Sequence, residues 1–405
     1  MESEFIIMLK KTKIALSILL MTVSIPSFAA NAQGHELSSN EFNQYIKDAI
    51  EQEIQLSAPA AAKGISTLSN KEFSQSVDNL LEKGVLKQDT IQKIEKLQDA
   101  EVVILNIDEA GNLVDATSSK QGDIKEQFEK KVTEVTDSTY VNSDDSLENK
   151  KNGRKITLQS SLPNRGSSAG KETGAFHRLQ TPASNSSIVY NGVMADSVVL
   201  PSYPIADAYG KGEAAYLYTG VDGVAEVGFE GVVSKQTLAG WYPVFHAKVL
   251  HNVNEGDDNG YSQPRSTDTT YTYRSKKFDG GATINGYKVF YYAGKSDEPT
   301  LTIREQINYS NIYVVKFNGL GTTGRSVKRV TAVAMNNAGS PNTSFSYGFS
   351  SPAIWNNMRF LINNSAGTRY PENVTNLSDD VWNHGGRIDY VKDSNHVEKY
   401  TFYKQ

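Results

Sequence analysis

The sequence predicts a mainly β protein, a two-sheet β-sandwich or jelly roll, preceded by a small helical region and a charged linker. Three observations carry this expectation. From about residue 156 to residue 405, short segments of period-two alternation recur between Gly, Asn, Asp and Ser clusters. Helical spacing is concentrated in residues 33–118 and nearly vanishes beyond about residue 156. Between the two, residues 119–155 carry balanced charge and few apolar groups. Many short strands with no helices between them bury one face each, and two such sheets closed on each other satisfy that need.

Residues 1–32 read as a secretory signal. Lys10, Lys11 and Lys13 form a basic start, and Ile14–Ile25 an apolar core shorter than the ~20 residues of a membrane span. Ala30-Asn31-Ala32 is a small-x-small cleavage site that makes Gln33 the mature N-terminus, and Ser27-Phe28-Ala29 is a second option. Met8 precedes the basic residues more closely than Met1, and is the expected true start. The chain is therefore expected to be secreted and extracellular, with no transmembrane segment after processing. It contains no cysteine, which excludes disulfides and thiol chemistry. The net charge of −5 and the absence of a long basic run give nucleic-acid binding no electrostatic support.

Within residues 33–118 a first helix is marked by a capping box at Ser38 and Glu41, with Phe42, Tyr45, Ile46 and Ile50 at helical spacing. A second starts near Ser69, runs through Phe73, Val77, Leu80 and Leu81, and stops at Gly84. A third covers Thr90 to Leu97. Val102–Ile107 and Leu113-Val114 read as a hairpin around Asp108–Asn112, whose residues are turn formers without the ordered spacing of calcium ligands. In the linker, Lys125 and Glu129 suggest a solvated helix. The part from 156 to 405 is expected to fold alone. Its alternating segments include Tyr287–Tyr292, Leu301–Asn308, Ile312–Phe317, Val327–Met335 and a closing strand at Val397–Tyr403. Ser351-Pro352 reads as the start of a short helix carrying Trp355, Met358 and Leu361.

The stretch 214–251 holds two long alternating segments. Trp241, Pro243 and Phe245 share one face, and Tyr242, His246 and Lys248 the other. Ala225, Val227 and Phe229 oppose Glu226 and Glu230, with Gly228 between the two carboxylates. Polar groups on one face of neighbouring strands are the expected lining of a groove.

At 174–201, GAFHRLQTPASNSSIVYNGVMADSVVLP, the chain resembles the YrpD-type family of uncharacterised secreted proteins of Gram-positive bacilli, from about 174 to the C-terminus. That likeness implies export and a β-sandwich, and no activity or site residues. At the level of fold the β-rich part looks like the concanavalin-like sandwich of lectins, glycosidases and polysaccharide lyases, which licenses no reaction.

Glu226-Val227-Gly228-Phe229-Glu230 is similar to the E-x-D-x-E signature of laminarinase-like glycosidases. The likeness implies Glu226 as nucleophile and Glu230 as acid/base, in a pair of carboxyls about 5–5.5 Å apart. Gly228 stands where that signature has Asp. Phe290–Lys295 and Gln306-Ile307-Asn308 are loosely like the Y-F-K-A-G and Q-I-H fragments of alginate-lyase-like enzymes, but Asn308 replaces the catalytic His and the order is reversed, so lyase chemistry is rejected here. His246 is a candidate general base. No cofactor is expected; the acidic loop 254–260 is a turn with oxygen ligands for calcium at most. Trp241, Tyr242, Tyr287, Tyr291, Tyr292, Trp355 and Trp382 offer rings for stacking on sugars, although Trp241 is also claimed by the core.

The expected function is non-catalytic binding of an extracellular polysaccharide or cell-wall glycan. The expected ligand-binding residues are Tyr242, His246, Lys248, Lys288, Tyr292, Arg304, Gln306 and Asn308. A laminarinase-like hydrolase using Glu226 and Glu230, and a structural or interaction protein of the envelope or spore, are the alternatives.

Overall fold

Three helices open the described part of the chain: α1 (Ser39–Ser57), α2 (Asn70–Glu82) and α3 (Gln88–Gln98). In this computed structural model the described residues are 39–63, 65, 68–133, 175–183, 188–202, 213–221, 224–232, 240–249, 267–293, 300–319, 326–335, 349–362, 367–383 and 388–403. The expected signal segment, Ser38, the linker beyond 133 and the acidic loop 254–260 lie outside them.

The start of α2 is a capping box. The Ser69 hydroxyl accepts from the Glu72 amide, and the Glu72 carboxylate accepts from the Ser69 amide at 2.9 Å. Its end is a Schellman motif, in which Gly84 takes φ +62°, its amide reaches Leu81 O, and the Val85 amide reaches Leu80 O. The hairpin also forms. β1 (Glu101–Ile107) and β2 (Leu113–Ser118) are joined by a turn in which Asp108 Oδ1 accepts from the Asn112 amide at 2.7 Å.

Two sheets follow, and the fold is a β-sandwich preceded by this small helical region. The first sheet is mixed. Its order is β19 (Ile388–Lys392), β20 (Val397–Phe402), β15 (Ala353–Asn356), β6 (Tyr190–Val199), β11 (Thr283–Ala293), β12 (Thr300–Ile307), β13 (Asn311–Asn318), β1, β2 and β3 (Gly122–Asp123). β16 (Arg359–Ile362) also pairs with β6, and β17 (Thr368–Arg369) with β16. The second sheet runs β18 (Ser378–Asn383), β5 (Ala175–Gln180), β14 (Val327–Met335), β7 (Glu213–Val221), β8 (Ala225–Val232), β9 (Gly240–Val249), β10 (Thr267–Tyr273) and β4 (Phe128–Thr133). Edge strands of the two sheets are consecutive in the chain, β3 with β4 and β18 with β19, so the chain passes from sheet to sheet along both sides.

The inward faces follow the sequence alternation. Leu217, Val227, Phe229, Trp241 and Phe245 meet Val193, Val289, Ile303, Val315 and Trp355 in one core between the sheets. A second core lies on the outer side of the first sheet. There Ala49, Ile50 and Ile54 of α1, with α2 and α3, cover Val102, Ile104, Ile312 and Val314 of β1 and β13.

Three expectations are corrected. The helical region and the sandwich do not separate at residues 118 and 155, because β1 pairs in parallel with β13 over Glu101–Ile107. The stretch around Lys125 is not a helix. β4 pairs antiparallel with β10, Lys125 Nζ donates to Val114 O at 2.9 Å, and Glu129 pairs with Arg274 at 2.5 Å. Phe128 stacks on Tyr273 with centroids 4.6 Å apart, and this anchor decides for strand over helix. Residues after Ser351-Pro352 form β15 and β16, since Trp355 and Phe360 each have an inward place in the core and a helix would turn one of them out.

Candidate functional site

The register of the second sheet sets its outer face in three rows. Lys328, Gly220, Glu226, His246 and Thr270 lie opposite one another in the first. Val330, Tyr218, Gly228, Val244 and Thr272 form the second. Tyr216, Glu230 and Tyr242 form the third, and Arg274 stands over the Tyr242 ring at 5.0 Å. Period-two alternation thus brings hydroxyls, carboxylates and rings from adjacent strands onto one surface.

Each row is internally anchored. Glu226 leans across Gly220 to Lys328 at 2.7 Å, through space that a Cβ on Gly220 would take from its Cγ at 2.8 Å. His246 Nδ1 is 2.7 Å from Thr270 Oγ1. Glu230 is fully buried, accepts from Thr272 Oγ1 at 2.9 Å, and meets the Tyr216 hydroxyl. Burial, and next the Glu230 charge, hold the Tyr216 phenol well above its ordinary range, so it keeps its proton and acts as a donor. Tyr216 and Tyr218 are partly exposed, and their rings meet edge to face at 6.0 Å. Glu226, His246 and Thr270 are partly exposed as well. The surface therefore has a buried floor of Glu230, Tyr242 and Thr272 and a half-open rim.

Gly228 explains the departure from the glycosidase signature. Its φ is +152°, and a Cβ there would lie 2.3 Å from Leu217 O and 2.6 Å from Tyr218 Cα. The β7 backbone passes too close for an aspartate. The two glutamates also belong to different rows, their backbones four residues or about 13 Å apart along the extended strand. Glu226 turns toward β14, and Glu230 is fixed between Tyr216 and Thr272. Each carboxyl thus has its own anchors.

The other expected ligand residues lie elsewhere. The outward face of β11 and β12 is covered by α1. Lys288 pairs with Glu53, Arg304 Nη2 donates to Gln52, and Gln306 Nε2 donates to Gly286 O at 3.2 Å. Lys316 meets Glu41 on the same helix at 2.5 Å. Lys288, Arg304 and Gln306 are each at most 2 % exposed and are corrected from ligand contacts to helix-docking residues. Burial, then Arg304 and Arg359, hold the Lys288 amine well below its ordinary value. Asn308 takes φ +56°, and its Oδ1 accepts from the Asn285 amide at 2.7 Å, which makes it a turn residue. Tyr292 is 40 % exposed beside this seam, with Arg304 5.9 Å from its ring. The Lys248 and Trp382 side chains lie outside the described residues. Tyr242, Tyr287, Tyr291, Trp241 and Trp355 are buried, so none of these rings is open to a sugar.

Of the expected set, then, His246 and Tyr242 share the second-sheet face with Glu226 and Glu230, with Tyr242 in the floor. Tyr216, Tyr218, Thr270, Thr272 and Arg274 join them and were not singled out from sequence. The alternation of Ala215-Tyr216-Leu217-Tyr218 and Thr270-Tyr271-Thr272 is the signal that marks their outward face. Among the described residues no group of three His, Asp or Glu side chains is placed to hold a metal ion, and no helix is long and apolar enough to cross a membrane. No known family's sequence model matches the chain, and no curated protein matches it.

Proposed function

We propose that the protein is exported and binds an extracellular or cell-wall glycan, without turning it over, on the outer face of its second sheet. The observation that carries this reading is the rim of that face. Tyr216 and Tyr218 stand side by side and partly exposed, with Glu226, His246 and Thr270 within two rows. Tyrosine offers an apolar ring face for sugar CH groups and a hydroxyl that bonds at its edge. The polar row supplies acceptors and donors for sugar hydroxyls. Rings already held by neighbouring strands lose little freedom on binding, which favours affinity from a small contact. The basic, apolar and small-residue pattern of residues 1–32 and the likeness to a secreted family support export.

The test is retention of the full exported chain on a glycan array and on isolated cell wall. Tyr216→Ala with Tyr218→Ala is expected to weaken retention at least tenfold, while Tyr292→Ala, on the other sheet, leaves it unchanged. No retention on any polysaccharide would remove the reading and put the envelope interaction protein in front.

A further inference from the structure

Glu305 lies on the inward side of β12 between Ile303 and Ile307, in the middle of the sandwich core, with no exposure. Neither of its carboxyl oxygens, nor the Tyr287 or Tyr313 hydroxyl, has a partner in good hydrogen-bonding geometry, and among the described residues the one group that reaches the carboxyl is the neutral Tyr287 phenol. Each of these phenols is at most 1 % exposed. Four orphaned polar atoms in one core are unusual, because a buried acceptor without a donor forfeits its hydration.

Among the described residues, no cation acts on Glu305 to balance a negative charge. Val289 and Tyr313 flank Glu305 directly in the sheet. From the opposing sheet, Phe229 packs on Tyr287 at 5.6 Å and Phe245 on Tyr313 at 5.6 Å. Tyr291 is the other core-facing phenol on β11, and it donates to Thr219 Oγ1 at 2.7 Å. The charged groups beyond these rings are already engaged. Lys328 and Glu226, which act on Tyr291, pair with each other, and Glu101, which acts on Tyr313, accepts from Ser118 at 2.6 Å.

We propose that the folded sandwich holds Glu305 as the neutral acid at neutral pH, and that loss of this proton loosens the sandwich. A protonated carboxyl is both donor and acceptor, so besides accepting from a phenol it can donate to a phenol oxygen, which a carboxylate cannot. Burial raises the group from its ordinary 4.5 to about 8, with Tyr287 acting in the opposite direction. The folded state then binds the proton more tightly than the unfolded chain. The stability this contributes is complete below pH 4.5, decreases as pH rises, and is lost above about pH 8. The neighbours of Glu305 on the strand, Arg304 and Gln306, hold α1 on the opposite face, so core protonation and helix docking are carried by adjacent residues.

The test is denaturant unfolding of the full chain and of Glu305→Gln, an uncharged isostere, from pH 5 to pH 9. The folding constant of the wild type relative to the variant is expected to fall several hundred-fold over that range, roughly tenfold per pH unit across most of it. Parallel profiles would overturn the proposal. If Glu305→Gln does not fold, infrared spectroscopy of the wild type decides. A protonated-carboxyl band present at pH 6.5 and lost by pH 9 supports the proposal, and its absence at pH 6.5 overturns it.

Discussion

Lys288 and Glu53 form the ion pair on which the α1 seam depends, and both are nearly out of solvent. A buried pair of this kind gains little over apolar side chains of the same size, because both charges have left water. Removing one partner is another matter, since the other charge stays buried. Lys288→Met alone is expected to cost about 3–5 kcal/mol in urea denaturation. Lys288→Met together with Glu53→Leu is expected to recover most of that loss. A single variant as stable as the double would show that the pair does not hold the seam. Alternation along β11 and β12 makes the polar face of Lys288, Arg304 and Gln306 legible in the sequence. What covers that face is not legible, because the covering groups, Gln52 and Glu53, lie more than two hundred residues earlier and carry no pattern that points to β12.

At the scale of elements, strands with a clear apolar stripe were readable almost to the residue, as Val327–Met335 shows. β4 was not, because Phe-Glu-Lys-Lys-Val-Thr offers charge where a strand pattern is sought, and only the fit of Phe128 against Tyr273 fixes it. The Ser351-Pro352 helix failed for a related reason. Pro suits the first position of a helix and the approach to a strand equally, and the core places of Trp355 and Phe360 decide. Four strands before residue 134 thus complete both sheets, with β1 against β13 and β4 against β10. A fragment spanning 156–405 leaves Ile312 and Val314 uncovered and both sheets short of strands. It is expected to show no cooperative unfolding on its own. A full chain cut at a protease site inserted between 133 and 175 is expected to elute as one species. Cooperative unfolding of the isolated fragment would contradict this account of the fold.

At the scale of the whole molecule, two outer faces of one sandwich have different fates. That of the first sheet is covered by helices over β1 and β13 and by the polar seam of α1 over β11 and β12. That of the second carries the tyrosine and carboxylate rows. The candidate site was half legible. His246, Glu226 and Glu230 stood out as polar residues in alternating strands, whereas Tyr216 and Tyr218 did not, because which strands become neighbours is a property of the sheet order. The central claim is that a glycan lies on the second sheet rather than the first, and tyrosine nitration mapped by peptide mass spectrometry tests it most directly. With a retained cell-wall glycan added to the full chain, modification of Tyr216 and Tyr218 is predicted to fall several-fold while Tyr292 and Tyr403, both exposed, react as before. Protection of Tyr292 with Tyr216 and Tyr218 unchanged would contradict it.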